Sequence, residues 1–409
     1  MWRLSVVLTI IATLSADELP QHVIQLAKLR RIMKQSLDTL PDFTCMSVTE
    51  RFRQDPRDPE MRRLDQVRLE VAYVGQQELF AWPGETEFRS QAPAEMIGAG
   101  MFASGDFISH ARAAFIGNYD VTKFGGPVNM PGRKLLRWDF TIAPMFAGWT
   151  VGYARVNANA GVKGSYWVDP DSLDLYMLEV TTDGLPAGFP MQEVRTVITY
   201  ARTRIGSREV LLPERSVTTA TEAGGGISEN HTEFSHCRQY TAESAIRFDH
   251  DPDAPVRVDA PPPPKPGKEI TIPANLRVTA GLTTPIDSAS ATVGQRIEAV
   301  VSADVSDGKK VVIPKGAVLS GRLRRVHPNE GPPPNFIIAL EFTDLNFDRT
   351  HARFFASMVQ LHKRTIVSGS AYRVTEVPGV GTFVYEGESF RLEQGLESTW
   401  TTLDIRSRK

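Results

Sequence analysis

Leu26, Leu29, Met33, Leu37 and Leu40 recur at three- and four-residue spacing, which predicts an amphipathic helix from about Pro20 to Leu40. Pro20 suits its first turn and Pro41 ends the pattern. From there to about residue 250 the period is mostly two. Val67, Leu69, Val71 and Tyr73 alternate with Arg68, Glu70 and Ala72, and Leu136, Trp138, Phe140 and Ile142 with Arg137, Asp139 and Thr141, as in half-buried antiparallel strands. Glu193–Thr203, Glu209–Thr219 and Thr232–Tyr240 are further strands between Gly, Pro and charged turns. One helix interrupts them at "SGDFISHARAAF", with Ser104 as its cap and Phe107, Ile108, Ala111 and Phe115 on one face. The stretch 251–268, "DPDAPVRVDAPPPPKPGK", favours extended polyproline conformation and reads as a semi-rigid linker between domains. Period two then returns, with Phe336, Ile338, Leu340 and Phe342 sharing a face. "TIPANLRVTAG" and "VIPKGAVLSGR" form a weak repeat, each placing Ile-Pro before a turn residue, Asn275 or Gly316, that tolerates positive φ. The expectation is a mainly β protein with a few helices, in which residues 17–250 form an antiparallel β domain and 269–409 a small β-barrel or sandwich.

A chain of 409 residues is long enough for two cores. Its formal net charge of -2 supplies no positive field for nucleic acid or an anionic surface. The basic pairs Arg30–Arg31 and Arg324–Arg325 read as solvated faces. Residues 1–16, one basic residue, an apolar run and then small residues, have the shape of a signal peptide, and Asp17 and Glu18 interrupt it well short of the roughly 20 residues a membrane span needs. No later segment is long and apolar enough to span a bilayer. Cys45 and Cys237 each lie in an alternating stretch, and in an exported protein an even count favours a disulfide; two buried free thiols are the alternative. A bridge would close a loop of 192 residues, worth roughly 4 to 5 kcal/mol in the chain-entropy model.

The search for chemistry yields no catalytic, metal or cofactor site. Asp169, Asp171 and Asp174 crowd together in "SYWVDPDSLDLYMLEV", but Asp169-Pro170-Asp171-Ser172 is turn chemistry between two strands. Paired catalytic carboxylates need distinct, partly buried environments. His231 and His236 fall on opposite faces of a strand. Asp249, Asp251 and Asp253 begin a calcium-loop spacing that Ala254 and Ala260 break. "GAGMFASG", residues 98–105, follows no buried parallel strand and reads as a loop. No zinc-protease helix, phosphate loop or nucleophile elbow is present.

"SYWVDPDSLDLYMLEVTT" followed by "VITYARTRIGSREVLLPERSVT", with its Leu212-Pro213 step, resembles the LolA/LolB-like periplasmic lipoprotein-carrier fold over about residues 20–250. That resemblance implies a curved antiparallel sheet, a half-barrel, over helices, with an apolar cavity for acyl chains. "LPDFTC", "LEVAYVGQQELFAWPG", "GDFISHARAAF" and "TEFSHCRQYTAES" look like exported proteins of acidobacterial type. The C-terminal "TTPIDSASATVGQRIEAVVSADV" and "VVIPKGAVLSGRL" resemble the β-barrel domain of VirB10/TrbI-like envelope proteins, without that family's membrane-spanning segment. Two connections are apolar, "APMFAGW" at 143–149 and "GLPAGFPM" at 184–191, so Phe146, Trp149, Phe189 and Met191 need cover. They either plug the open side of the sheet or rim a cavity for a lipid or other amphiphile. The expectation is thus an exported, non-enzymatic envelope binding protein. The alternatives are a structural adaptor with an envelope protein as partner and, more remotely, a hydrolase.

Overall fold

The computed structural model describes residues 19–85, 88, 93–97, 100–117, 120–153, 156–240, 268–329, 333–362, 366–367 and 378–404. The expected signal peptide at 1–16 and, apart from Lys268, the proline-rich linker lie outside the described residues, as do Asp249, Asp251 and Asp253.

Helix α1 (Gln21–Asp38) starts directly after Pro20, with Leu29, Met33 and Leu37 buried. Then come β1 (Phe43–Gln54), β2 (Arg62–Val74), β3 (Gln77–Ala81), α2 (Pro93–Ile97), α3 (Ser109–Ile116), β4 (Asp120–Met130), β5 (Arg133–Ile142) and α4 (Pro144–Ala147). They are followed by β6 (Trp149–Tyr153), β7 (Val156–Val168), β8 (Leu175–Asp183), β9 (Met191–Ile205), β10 (Arg208–Glu222) and β11 (Ile227–Gln239). These eleven strands form one antiparallel sheet in the order β3-β2-β1-β11-β10-β9-β8-β7-β5-β4, with β6 on β7. The sheet is a half-barrel curled around helices. Inward residues such as Val71, Trp138, Tyr166, Leu178 and Ile198 form a single core with the buried faces of α1 and α3. The rings of Phe115 and Trp138 both pack on Tyr166, at 4.8 and 5.9 Å.

The first strand, β1, lies beside the last, β11, and there the Cys45–Cys237 disulfide is formed, with Cα atoms 4.1 Å apart. A bulge opposite Cys45 accommodates the bridge, and His236 takes a positive φ of 51° within it. Pro213 also sits inside a strand, at a register shift between β10 and β9 where the ladder has no need of its missing N–H.

Several elements depart from the pattern-based expectation. Strand β4 carries Gly125, Gly126 and Pro127, which punctuate the alternation and hide the strand, yet it is the sheet's edge, where proline is tolerated. Helix α3 begins at Ser109, five residues after the expected cap Ser104. The middle of β2 is buried on both faces, Glu70 and Ala72 included, because residues 82–84 and the C-terminal module cover its expected solvent side.

The C-terminal module is a second, ten-stranded sheet. Its long antiparallel pair, Val318–Asn329 with Asn335–Phe347, is extended by Arg296–Val301, Arg277–Leu282 and Glu397–Thr402 around Val278, Leu319, Ile338, Leu340, Phe342 and Trp400. Asn275 and Gly316, the turn residues of the weak repeat, both have positive φ, 64° and 88°.

The module joins the first sheet along β2. Because β3 pairs only with Glu70–Val74, the preceding edge of β2 is free, and Val293 fills it. Its N–H donates to Gln66 O at 2.8 Å and its carbonyl accepts from Arg68 N at 3.0 Å. Arg322 donates to Pro83 O, and Arg324 donates to Met96 O, pairs with Glu341 and lies 5.3 Å from the Trp82 ring centroid. Arg325 is half-buried as well, and burial, then the neighbouring Arg51, lower its guanidinium. Arg324 and Arg325 are therefore not a solvated face. Arg30 donates to Thr122 on β4 while Arg31 is exposed.

Candidate functional site

Inside the half-barrel a cavity of about 570 Å³ lies between the sheet, its edge strand β3 included, and α3 with the residues before it. The period-two pattern aims Phe140, Ile142, Val162 and Val180 into it from β5, β7 and β8, and Val194, Thr196, Thr218 and Ala220 from β9 and β10. Residues 101–105, with Ser109, His110 and Ala113 of α3, form the facing wall. Trp149, Thr150, Val151 and Gly152 of β6 close one side.

Polar chemistry gathers where α3 begins. The Glu78 carboxylate, from β3, accepts hydrogen bonds from Ile108 N (2.9 Å), Ser109 N (2.8 Å), Ser109 Oγ (2.7 Å) and Gly105 N (3.1 Å). It thus caps a helix that has no side-chain cap of its own, satisfying N–H groups a first turn leaves over. The carboxylate of Asp106 accepts from Ser216 Oγ at 2.6 Å through Oδ2, whereas its Oδ1 is buried without a hydrogen-bond donor, 3.6 Å from His110 Nε2. The His110 ring packs 4.9 Å from that of Trp149. Gly105, with φ of +100°, lets the ring lie close: a β-carbon there would stand 3.2 Å from Nε2. Tyr200 is buried nearby, and burial, then the charges of Asp106 and Glu78, push its phenol far up.

Of the residues expected to rim a cavity, Trp149 and Met191 line it. Phe189 packs beside them in a small cluster around Val151, Met191 and Ala220. Phe146, on α4, stays 49 % exposed, next to Met145 at 82 %. Glu78, Asp106 and His110 were not singled out from the sequence. The one local signal was the i, i+4 spacing of Asp106 and His110 within "GDFISH".

The acidic cluster at 169–174 is a turn. Asp169 Oδ1 accepts from Asp171 N (3.0 Å), Ser172 N (2.9 Å) and Ser172 Oγ (3.2 Å), and these hydrogen bonds, Ser172 N foremost, hold its carboxyl below the usual range. Asp174 is held by both arms of Arg202, at 2.7 and 2.8 Å. His231 bonds Glu229 and His236 bonds Ser235. Among the described residues no group of three or more His, Cys, Asp or Glu is placed to hold a metal ion, and no helix is long and apolar enough to cross a membrane.

No protein-family model matches the chain, and no curated protein is significantly similar to it. Two solved structures align with part of the chain. A domain from Vibrio parahaemolyticus, described as an outer membrane lipoprotein-sorting protein, aligns over 53 % of this chain and 92 % of its own, at 12 % identity and a TM-score of 0.28. A DUF1329 family protein from Desulfovibrio piger aligns over 56 % of this chain and 97 % of its own, at 12 % identity and a TM-score of 0.31. At such scores neither likeness bears on function, and the half-barrel stands on its own strand order.

Proposed function

We propose that this is an exported binding protein that holds the apolar part of a lipid or other amphiphile within the half-barrel. The observation that carries the reading is the cavity itself: its volume of about 570 Å³ is that of a small-molecule site, aliphatic and aromatic side chains from β5, β7, β8 and β9 line it, and its ionisable groups, Glu78 and His110, lie where α3 begins. Export is supported by the Cys45–Cys237 bridge, which persists in an oxidising compartment, and by the leader-like pattern at 1–16. A binder is favoured over an enzyme because the acids near the cavity have structural work: Glu78 caps α3 and Asp106 accepts from Ser216. Among the described residues that line the cavity, no nucleophile stands with a base and an orienting group.

Solvent extraction of the purified, exported protein followed by lipid mass spectrometry is expected to recover a co-purifying amphiphile. Displacement of a fluorescent apolar probe should report binding by the wild type, weakened about tenfold in Trp149→Ala, equivalent to about 1.4 kcal/mol. A wild type that neither carries nor binds any amphiphile would end this reading. The adaptor would remain, its C-terminal module, with the resemblance to VirB10/TrbI-like barrels, docking onto an envelope assembly.

A further inference from the structure

Part of the half-barrel's interior is filled by its own rings. Phe140, which lines the cavity, lies against Tyr166 with ring centroids 5.8 Å apart, and Tyr166 lies in turn against Phe115 at 4.8 Å and Trp138 at 5.9 Å. None of the four is more than 5 % exposed. Phe140 also rests flush on β7, since a β-carbon on Gly164 would stand 2.8 Å from its ring. That ring has no room to retreat, and the layer behind it is packed as a core, so the cavity does not deepen there. On the side of β6 the Trp149 ring rests on that of His110, 4.9 Å away, and both line the cavity. The space left over is about 570 Å³. A water in the liquid takes up about 30 Å³ and a methylene roughly as much, so this space holds on the order of 19 carbons. One chain of about 16 to 18 carbons fills it, whereas two chains of about 16 carbons need roughly 960 Å³. A second long chain would stay in water and forgo the burial that drives binding.

We infer that the half-barrel takes a single-chain amphiphile, such as a lysolipid or a fatty alcohol, and excludes lipids with two long acyl chains. The inference rests on the carrier reading and adds the number and length of chains to it.

The test incubates the full chain with vesicles of dioleoyl phosphatidylcholine doped with oleoyl lysophosphatidylcholine, which share head group and chain, and reads the lipid bound to the separated protein by native mass spectrometry. The lysolipid is expected at no more than one per protein, enriched at least about tenfold over its share of the vesicle. With a mixed series of saturated lysophosphatidylcholines, uptake should hold up to about 18 carbons and fall beyond, because further methylenes gain nothing from the cavity. Val194→Phe, at a half-buried lining position on β9, adds about four carbons to the wall and should shorten that limit by about as many, a shift that easier escape of lysolipids from the vesicle would not produce. Dioleoyl phosphatidylcholine carried by the wild type in proportion to its share would overturn the inference, whether or not the variant folds, and would leave the carrier reading standing. An unchanged length limit in a Val194→Phe protein that melts like the wild type would overturn it as well. Uptake of neither lipid also overturns it, and the carrier reading then stands or falls on the fluorescent apolar probe.

Discussion

Glu70 lies in the middle of β2 with 3 % of its surface exposed, and its ion-pair partner among the described residues, Arg238, is 3.9 Å away. Burial pushes its carboxyl up, partly countered by Arg238, a hydrogen bond from Gly84 and Arg322. A folded-state value raised above the unfolded one means that the protonated form fits the fold better. The stability this group contributes is therefore full below the ordinary carboxyl range and is lost as pH rises through the folded value. Glu70→Gln is expected to raise the melting temperature at neutral pH, with the gap closing as pH is lowered past about 4. Melting curves across pH check this; a Gln variant less stable at neutral pH would show that the pair with Arg238 outweighs desolvation. Asp169 has the opposite sign. Its carboxyl is held low by the N–H groups of its turn, so its contribution is present at neutral pH and lost as pH falls through the folded value.

Helix α3 has eight residues, too few to persist alone, and Ile108 before it offers no capping side chain. Glu78 supplies the cap from a different element, 30 residues earlier in the chain. Glu78→Ala should cost about 2 kcal/mol, the upper range for a lost helix cap, and speed amide exchange of residues 105–112 ahead of the sheet. Unchanged protection of those amides would exclude Glu78 as what holds the helix in place. The error of placing the cap at Ser104 has the same source. An N-cap is legible when it is local, and this one is tertiary. Strands β9, β10 and β11 were legible because one side of each faces the core, whereas β4 was hidden by the glycines and proline that an edge strand tolerates.

Across the whole molecule the two cores are joined by a finger of the C-terminal module, Val293-Gly294, laid against β2 and Trp82. Gly294 has a φ of +93°, and a β-carbon there would stand 2.6 Å from Arg68 O and 2.8 Å from the Trp82 ring. Gly294→Ala should therefore destabilise the junction by at least about 2 kcal/mol, from backbone strain and the clash together. Calorimetry is expected to show one transition for the wild type and an earlier, split one for the variant; an unchanged single transition would mean the finger carries no coupling. From the sequence by itself came the mainly β class, helix α1, the alternating strands, the turn at Asp169 and the pairing of the only two cysteines. Each is encoded by neighbours in the chain, through side-chain period, turn residues or simple count. Tertiary structure alone decided that Arg324 is buried at a junction and that Glu78, Asp106 and His110 come together where α3 begins. Those outcomes depend on residues from distant elements sharing one low-dielectric space, and no local pattern records which distant group a side chain will face.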